Sequence, residues 1–575
     1  MKKGYISALI LLVLALSFGP PAQAQGPAQT DWSVWVGSHY TGLDQYIYKV
    51  AEFDRGVTGV TPEVRFQFSR NQGKNAFMLN GFYYDPKRLG LQFQGNSGTD
   101  TKWNVSLQSF YRQSQKDLME NLVVREAGNA EGTKPGGKMV THSDLNPGEY
   151  PGYRKMIFEA NFETRIPGHK NVRIFAGERS ILEKGEEQVL QVNHCSTCHI
   201  NSHMIKLDRK THALTGGVEV SFGKSILSYT ANYRQFKSDA GGFAAMYDTA
   251  RHPVKGIAGA EFASREIFSG TVMPIAQYPE TQKLAHTLKF KTSVGKARLL
   301  AQAAAVNTKN KIGNLNINDK QASVRVIYPV FRKAKMVANA AYKRIENDPV
   351  FIDLPPWREG RPGGGQNFDY WRYSNLTRTV AEANAELIYQ PTARYRLGLL
   401  AGYNSTVRDD YPDKGGNFTT KTVRLRGSLY YRPSSTWNAM LRYELKSIDN
   451  PFSPVNYTFE KPGSSVLAPL PDNPFVYYFQ RDELRYGNIT NLPTMVNAFS
   501  AKLNLRPNQK VRLSAAFKAR IGTNSDNKEL SYKQTSYQPS FSISLYPNDK
   551  FTLFGTYSMV LQSRNGLAAV TMMDG

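Results

Sequence analysis

Cysteine is almost missing from this chain: two residues in 575, at positions 195 and 198. That excludes a disulfide-stapled secreted domain, whose cysteines are many and spread. Long apolar runs are missing as well. Beyond residue 24 no stretch approaches the ~18 apolar residues of a spanning helix, so the mature chain is not a helical membrane protein. Acid is in short supply, with 47 Asp and Glu against 72 Lys and Arg, a formal charge of +25. A nucleic-acid partner is a poor reading of that excess. The bases are spread through the chain, and no compact domain interleaves them with stacking aromatics.

The N-terminus has the form of a secretory signal. Lys2 and Lys3 precede the apolar stretch Ala8 to Phe18, and Ala22-Gln23-Ala24 offers a small-x-small cleavage site. Residues 1–24 are therefore expected to be removed on export.

What the chain does have is alternation. Phe499, Ala501, Leu503 and Leu505, then Val511, Leu513, Ala515 and Phe517 form one face of a hairpin across the turn Arg506 to Lys510. Ser500, Lys502, Asn504, Arg512, Ser514 and Lys518 form the other. Period-2 alternation makes each arm a strand with one apolar and one polar face. Similar hairpins recur, each closed by a short turn such as Tyr84-Asp85-Pro86-Lys87-Arg88, Ile166-Pro167-Gly168-His169 or Gly223-Lys224. Long Gly-, Pro- or charge-rich segments separate them, near 113–152, 181–211, 237–282, 345–376 and 447–492. Tyrosines such as Tyr83, Tyr328, Tyr389, Tyr430 and Tyr431 stand at strand ends, where an interfacial girdle would lie.

The pattern predicts an all-β fold: one large transmembrane antiparallel β-barrel over residues 25–575, integral to a Gram-negative outer membrane. It should have roughly 22–26 strands, short periplasmic turns and long extracellular loops. A soluble sandwich or propeller would have shorter strands and no such loop asymmetry. The polar face carries Arg65, Lys289, Lys291, Arg325, Arg424, Arg426, Arg442, Lys502, Arg512 and Lys518. Each would cost on the order of 2–4 kcal/mol facing lipid at mid-membrane, so these side chains are expected in the lumen.

One motif carries chemistry. The 181–211 segment contains His194-Cys195-Ser196-Thr197-Cys198-His199, followed by His203, Met204 and His212. Cys-x-x-Cys-His is the attachment signature of c-type haem: the thiols meet the two vinyl groups and the adjacent histidine ligates iron. His194, His203, Met204 and His212 are the candidates for the second axial position. A six-coordinate haem of that kind serves electron transfer rather than catalysis. A local Cys195–Cys198 disulfide and a Cys/His metal site are the other readings. No nucleophile elbow or phosphate cradle accompanies the motif, and Asp409-Asp410, Asp482-Glu483 and Gly363-Gly364-Gly365 read as ordinary loop residues. No enzyme activity is expected.

An exported large barrel with Pro-turn hairpins and a lone Cys-x-x-Cys resembles the MtrB/PioB family of outer-membrane proteins over about residues 30–575. That resemblance implies a sheath around or beside multihaem c-type cytochromes, conducting electrons across the outer membrane. Some members carry a Cys-x-x-Cys near the mature N-terminus, whereas here it lies at Cys195 and Cys198 and continues into His199. The alternative from the residues alone is a basic, anion-selective diffusion porin in which the two cysteines form a local disulfide.

Overall fold

The computed structural model describes residues 27–42, 58–119, 141–192, 199–247, 272–352, 370–372, 376–413, 416–452, 459–460, 492–524, 532–548 and 550–565. The signal segment 1–24 and the cysteines Cys195 and Cys198 lie outside the described residues.

Every regular element among the described residues is a strand. The first ten are β1 (Gln29–Thr41), β2 (Gly59–Gln72), β3 (Asn75–Asp85), β4 (Arg88–Ser97), β5 (Thr101–Gln113), β6 (Thr141–Asp144), β7 (Gly152–Ile166), β8 (His169–Val192), β9 (His199–Phe222) and β10 (Ser225–Ser238). Then come β11 (Phe243–Met246), β12 (Val272–Ala276), β13 (Thr281–Val294), β14 (Ala297–Asn310), β15 (Leu315–Phe331), β16 (Ala334–Asn347), β17 (Val350–Ile352), β18 (Tyr370–Arg372) and β19 (Arg378–Thr392). The last are β20 (Tyr395–Asp413), β21 (Gly416–Tyr431), β22 (Trp437–Asp449), β23 (Phe459–Glu460), β24 (Met495–Asn508), β25 (Val511–Thr523), β26 (Lys533–Asn548), β27 (Phe551–Ser558) and β28 (Leu561–Asn565).

One 23-stranded sheet forms the wall. Its long strands pair antiparallel with their neighbours along the chain, from β1–β2 through β9–β10 and β20–β21 to β25–β26. Both β27 and β28 pair with β26, at opposite ends of it. This is a large outer-membrane β-barrel.

The register keeps the two faces apart. Leu441 lies opposite Leu429 and Ala501, and Ala501 opposite Phe517. One residue on, Arg442 lies opposite Ser428 and Ser500, and Ser500 opposite Lys518. Leu441, Leu425, Leu399, Leu387 and Phe541 are all exposed in the isolated chain. Such a wall has no interior of its own: hydrocarbon takes the place of a core, stabilising each large apolar side chain by roughly 1.5–3 kcal/mol.

The two ends of the barrel differ. At one end the strands join through brief turns, such as 167–168, 223–224, 295–296 and 509–510. The other end carries the long segments between β5 and β7, β10 and β13, β16 and β19, and β22 and β24. The short turn at 86–87 also falls there. These are the periplasmic and extracellular ends respectively.

One expectation fails here. The span 181–211, read as a loop, is mostly strand: β8 and β9 run 24 residues each and pair from Val172↔Val220 to Val192↔Ile200. A barrel strand needs only about 9–11 residues to cross the bilayer. The far halves of β8 and β9 therefore stand well above the extracellular rim. Alternation fades there (Glu186, Glu187, Gln188) because no lipid demands an apolar face.

Candidate functional site

The most deeply buried side chains gather in this projection. Among the described residues the largest fully buried side chains are Leu207, Gln113, Gln191, Asp85, Pro151 and Ser202. All but Asp85 belong to the β8–β9 projection and the chain around it, which we call the head. Met119 and Ile205 are buried there too.

Polar side chains tie the head together. The short strand β6 pairs parallel with the start of β9, Thr141↔His199 to Asp144↔Ser202. Lys116 Nζ contacts Asp144 Oδ2 at 2.7 Å and donates to the Asn146 carbonyl at 2.7 Å. Asn146 Oδ1 accepts from the Met204 amide at 3.0 Å. Gln188 accepts from the Asp117 amide at 2.7 Å and donates to Ser202 Oγ at 2.6 Å. Gln191 donates to the Met246 carbonyl at 2.8 Å, which brings the β11–β12 pair against the head. Below, where the head meets the rim, Glu183 bridges Lys155 at 3.0 Å and Arg209 at 3.1 Å. Burial raises the carboxyl pKa of Glu187 beside them, against a smaller opposing pull from Arg209. None of these polar residues announces itself in the sequence. They are single Asn, Gln, Lys and Asp residues in segments that carry no periodicity.

The motif histidines separate in space. His203 lies in the head, where its Nε2–H donates to Gln191 Oε1 at 2.9 Å and its ring lies 5.0 Å from Phe243. Burial lowers its pKa from 6.5. Met204, the next residue along β9, points to the opposite face of the strand. His212 is thirteen positions beyond His199 on the same strand, about 40 Å away at ~3.3 Å per residue. It sits on the lipid-facing side. Its Nδ1 is 2.8 Å from Ser180 Oγ, which itself donates to Glu178. The fold therefore keeps His212 away from the motif. His194, Cys195 and Cys198 lie outside the described residues, and of His199 only the backbone is described.

The ten basic residues expected in the lumen all fall on the polar face of the register. They do not stand alone there. Arg426 meets Glu386 at 3.2 Å, and Arg424 donates to Asn384 at 3.0 Å. Lys343 meets Asp319 at 2.9 Å, and Arg173 is held by Glu163 at 2.7 Å and Glu219 at 3.1 Å. Arg65 and Arg512 lie over the rings of Trp35 and Tyr546. Lys289, Lys291, Arg325, Arg442, Lys502 and Lys518 complete the set on strands β13, β15, β22, β24 and β25. Carboxylates thus interleave with the bases, and the wall is not a field of one sign. Asp409, read from sequence as a solvated loop residue, accepts from Arg344 at 2.8 Å.

No family model matches the chain, and no curated protein does. Solved structures do match. The siderophore receptor PirA of Acinetobacter baumannii matches at TM-score 0.45 and 8% identity, over 92% of this chain and 75% of that one. A ferric enterobactin receptor, PfeA of Pseudomonas aeruginosa, in complex with enterobactin, matches at 0.44 and 8%, over 93% and 76%. The iron transporter FrpB of Neisseria meningitidis matches at 0.43 and 10%, over 84% and 72%. At that distance the likeness extends to a large outer-membrane barrel and no further.

These findings correct the family reading. The matched barrels are siderophore receptors and an iron transporter, a different group from the MtrB/PioB sheaths. The electron-transfer function and the multihaem cytochrome partners drawn from that resemblance are withdrawn. The anion-selective porin is withdrawn too: the barrels named above are siderophore receptors and an iron transporter, and carboxylates such as Glu386, Asp319, Glu163 and Glu219 share the lumen wall with the bases. The chain is an integral outer-membrane barrel.

Proposed function

We propose that the chain is an outer-membrane receptor: the head takes hold of an extracellular ligand at the rim, and the hydrated lumen below receives it. The observation that supports this reading is that, Asp85 apart, the largest fully buried side chains among the described residues gather in the head. The wall relies on lipid for its apolar face, whereas the head has buried side chains, a buried ion pair and cross-braced amides of its own. A passive pore has no use for a folded body standing above its mouth. Concave, well-packed surfaces with fixed polar groups are what recognition needs.

The test is to replace residues 186–204 by a short Gly-Ser turn and measure binding and uptake in intact cells. Ferric enterobactin is the first probe, and a panel of other iron chelates follows. The reading expects one probe to bind and enter, and both to be lost in the headless barrel. Binding and uptake that persist unchanged without the head contradict it.

The Cys195-Ser-Thr-Cys198-His199 motif is a separate proposal. One covalent c-type haem and a local disulfide are its two forms. With His212 held elsewhere and His203 bonded to Gln191, His194 and Met204 are the distal ligands that suit the haem form best. A haem-stained gel beside Cys195→Ala, with the intact mass of each, separates the two. Export with cleavage after Ala24, leaving one domain over 25–575, belongs to the same reading, and N-terminal sequencing of the mature protein checks it.

A further inference from the structure

A wall cavity of about 1080 Å³ opens on the lumen side of β2 to β9. A single register row crosses it. Gln94 lies opposite Asn104, Asn104 opposite Asn161, Asn161 opposite Gly177, Gly177 opposite Thr215, and Thr215 opposite Asn232. Six adjacent strands thus present four amides and a hydroxyl at one level, over about 24 Å at ~4.8 Å per strand step. The row carries no charge. Gly177 keeps it open: a Cβ there would stand 2.8 Å from Asn161 Oδ1. The Asn161 amide has no hydrogen-bond partner among the described residues, and Gln92 donates to both Gln94 and Asn104 from the same strand face, at 3.2 and 3.3 Å.

The charges bordering the cavity cancel. Glu163 is shared by Arg173 at 2.7 Å and Lys102 at 3.6 Å, and Arg173 also holds Glu219 at 3.1 Å. Two cations and two anions leave no net field to attract an ion of either sign. What is left is an uncharged array. Gln94 and Asn104 each accept once from Gln92, and Asn232 Oδ1 accepts once from Thr215 Oγ at 2.8 Å. Each oxygen keeps a second lone pair and each amide its NH2 donors, while both groups of Asn161 are open among the described residues. Hydroxyl groups, which also donate and accept, match such an array. A peptide matches it poorly. Peptide strands dock on free sheet edges with apolar pockets for alternate side chains, and this row lies mid-sheet with its backbone groups already paired.

We propose that this row is a binding track for a neutral, hydroxyl-rich ligand, a linear oligosaccharide, laid along the inner wall. The track is separate from the head and does not depend on the receptor reading.

Calorimetry on the purified full-length chain in detergent tests it, with maltohexaose as probe, maltose as the short control and dextran sulfate as the charged one. Maltohexaose is expected to bind roughly tenfold or more tighter than maltose, because more hydroxyls engage the row. The double variant Asn104→Ala/Asn161→Ala should weaken it by roughly tenfold. Heat-modifiable gel migration confirms that the variant barrel is folded. Asn104→Asp, nearly isosteric, should weaken it likewise if the double variant does not fold. Four results overturn the proposal: no binding of maltohexaose, unchanged binding by folded variants, dextran sulfate binding as tightly, or an uncharged Ser/Gly peptide binding where the sugar does not.

Discussion

Lys116 Nζ sits 2.7 Å from Asp144 Oδ2, with 1% of the lysine side chain exposed. A charge that deep is tolerated because it is paired and because Lys116 also donates to the Asn146 carbonyl. The pair joins the segment after β5 to β6, and Asn146 carries the tie on to β9. Lys116→Met leaves Asp144 charged and short of its partner. It should destabilise the head by about 3 kcal/mol. Amide exchange in β6 and the outer half of β9 should speed up, while the wall strands keep their protection. Equal protection in both proteins would show that the pair is not what holds the head.

Asp239 lies just past β10 on the extracellular rim, bonded to Lys210 and Lys237, and these two ammonium groups lower its pKa from 3.8 to about 2. A depressed carboxyl stabilises the fold above its unfolded pKa and loses that contribution as pH falls through the folded one. The Asp239 contribution is therefore intact above about pH 4 and lost between there and about pH 2. A carboxyl-carbon NMR titration should show a midpoint near 2, moving toward 3.8 in Lys210→Gln/Lys237→Gln. A native midpoint near 4 would contradict the pairing.

His203 runs the other way in charge but has the same sign in pH. Burial lowers its pKa from 6.5, so the folded head favours the neutral ring while the unfolded chain protonates first. Stability is whole above pH 6.5 and falls as pH drops below it. Exchange in the head at pH 5.5 should be faster than at 7.5 after correction for intrinsic rates. His203→Gln should flatten that difference.

Gly185 sits where the head leaves the wall. A Cβ there would lie 2.2 Å from the Gly152 carbonyl oxygen and 2.5 Å from Tyr153 Cα, both backbone. Neither can swing aside as a side chain would. Gly185→Val should therefore part β7 from β8 at their extracellular ends and expose the nearby backbone to protease. The heat-modifiable barrel should survive. A fully protease-resistant variant would mean that the strands yield more easily than this spacing suggests.

Much of the wall is legible in the sequence because lipid imposes one rule on every strand. Leu441 and Arg442, or Ala501 and Lys502, can be assigned to faces by counting in twos. The head obeys no such rule. Leu207, Ile205 and Met119 are apolar residues scattered among polar ones, and they are buried although no periodicity marks them. Lys116 finds Asp144 across a long stretch of sequence that gives no sign of the pairing. Counting in twos puts the basic residues on one face, but it gives no sign that Glu163, Glu219 and Glu386 meet bases on that same face. His212 is close to His199 in sequence but about 40 Å from it when the intervening residues are extended.

The account depends on the head standing outside the cell and the short turns facing inward. In a Cys195→Ser/Cys198→Ser background, single cysteines at Glu187 in the head and at Lys296 in the β13–β14 turn are exposed to a membrane-impermeant maleimide. The account predicts labelling at 187 in intact cells and at 296 only after the outer membrane is permeabilised. Labelling at 296 in intact cells, with 187 protected until permeabilisation, would contradict it.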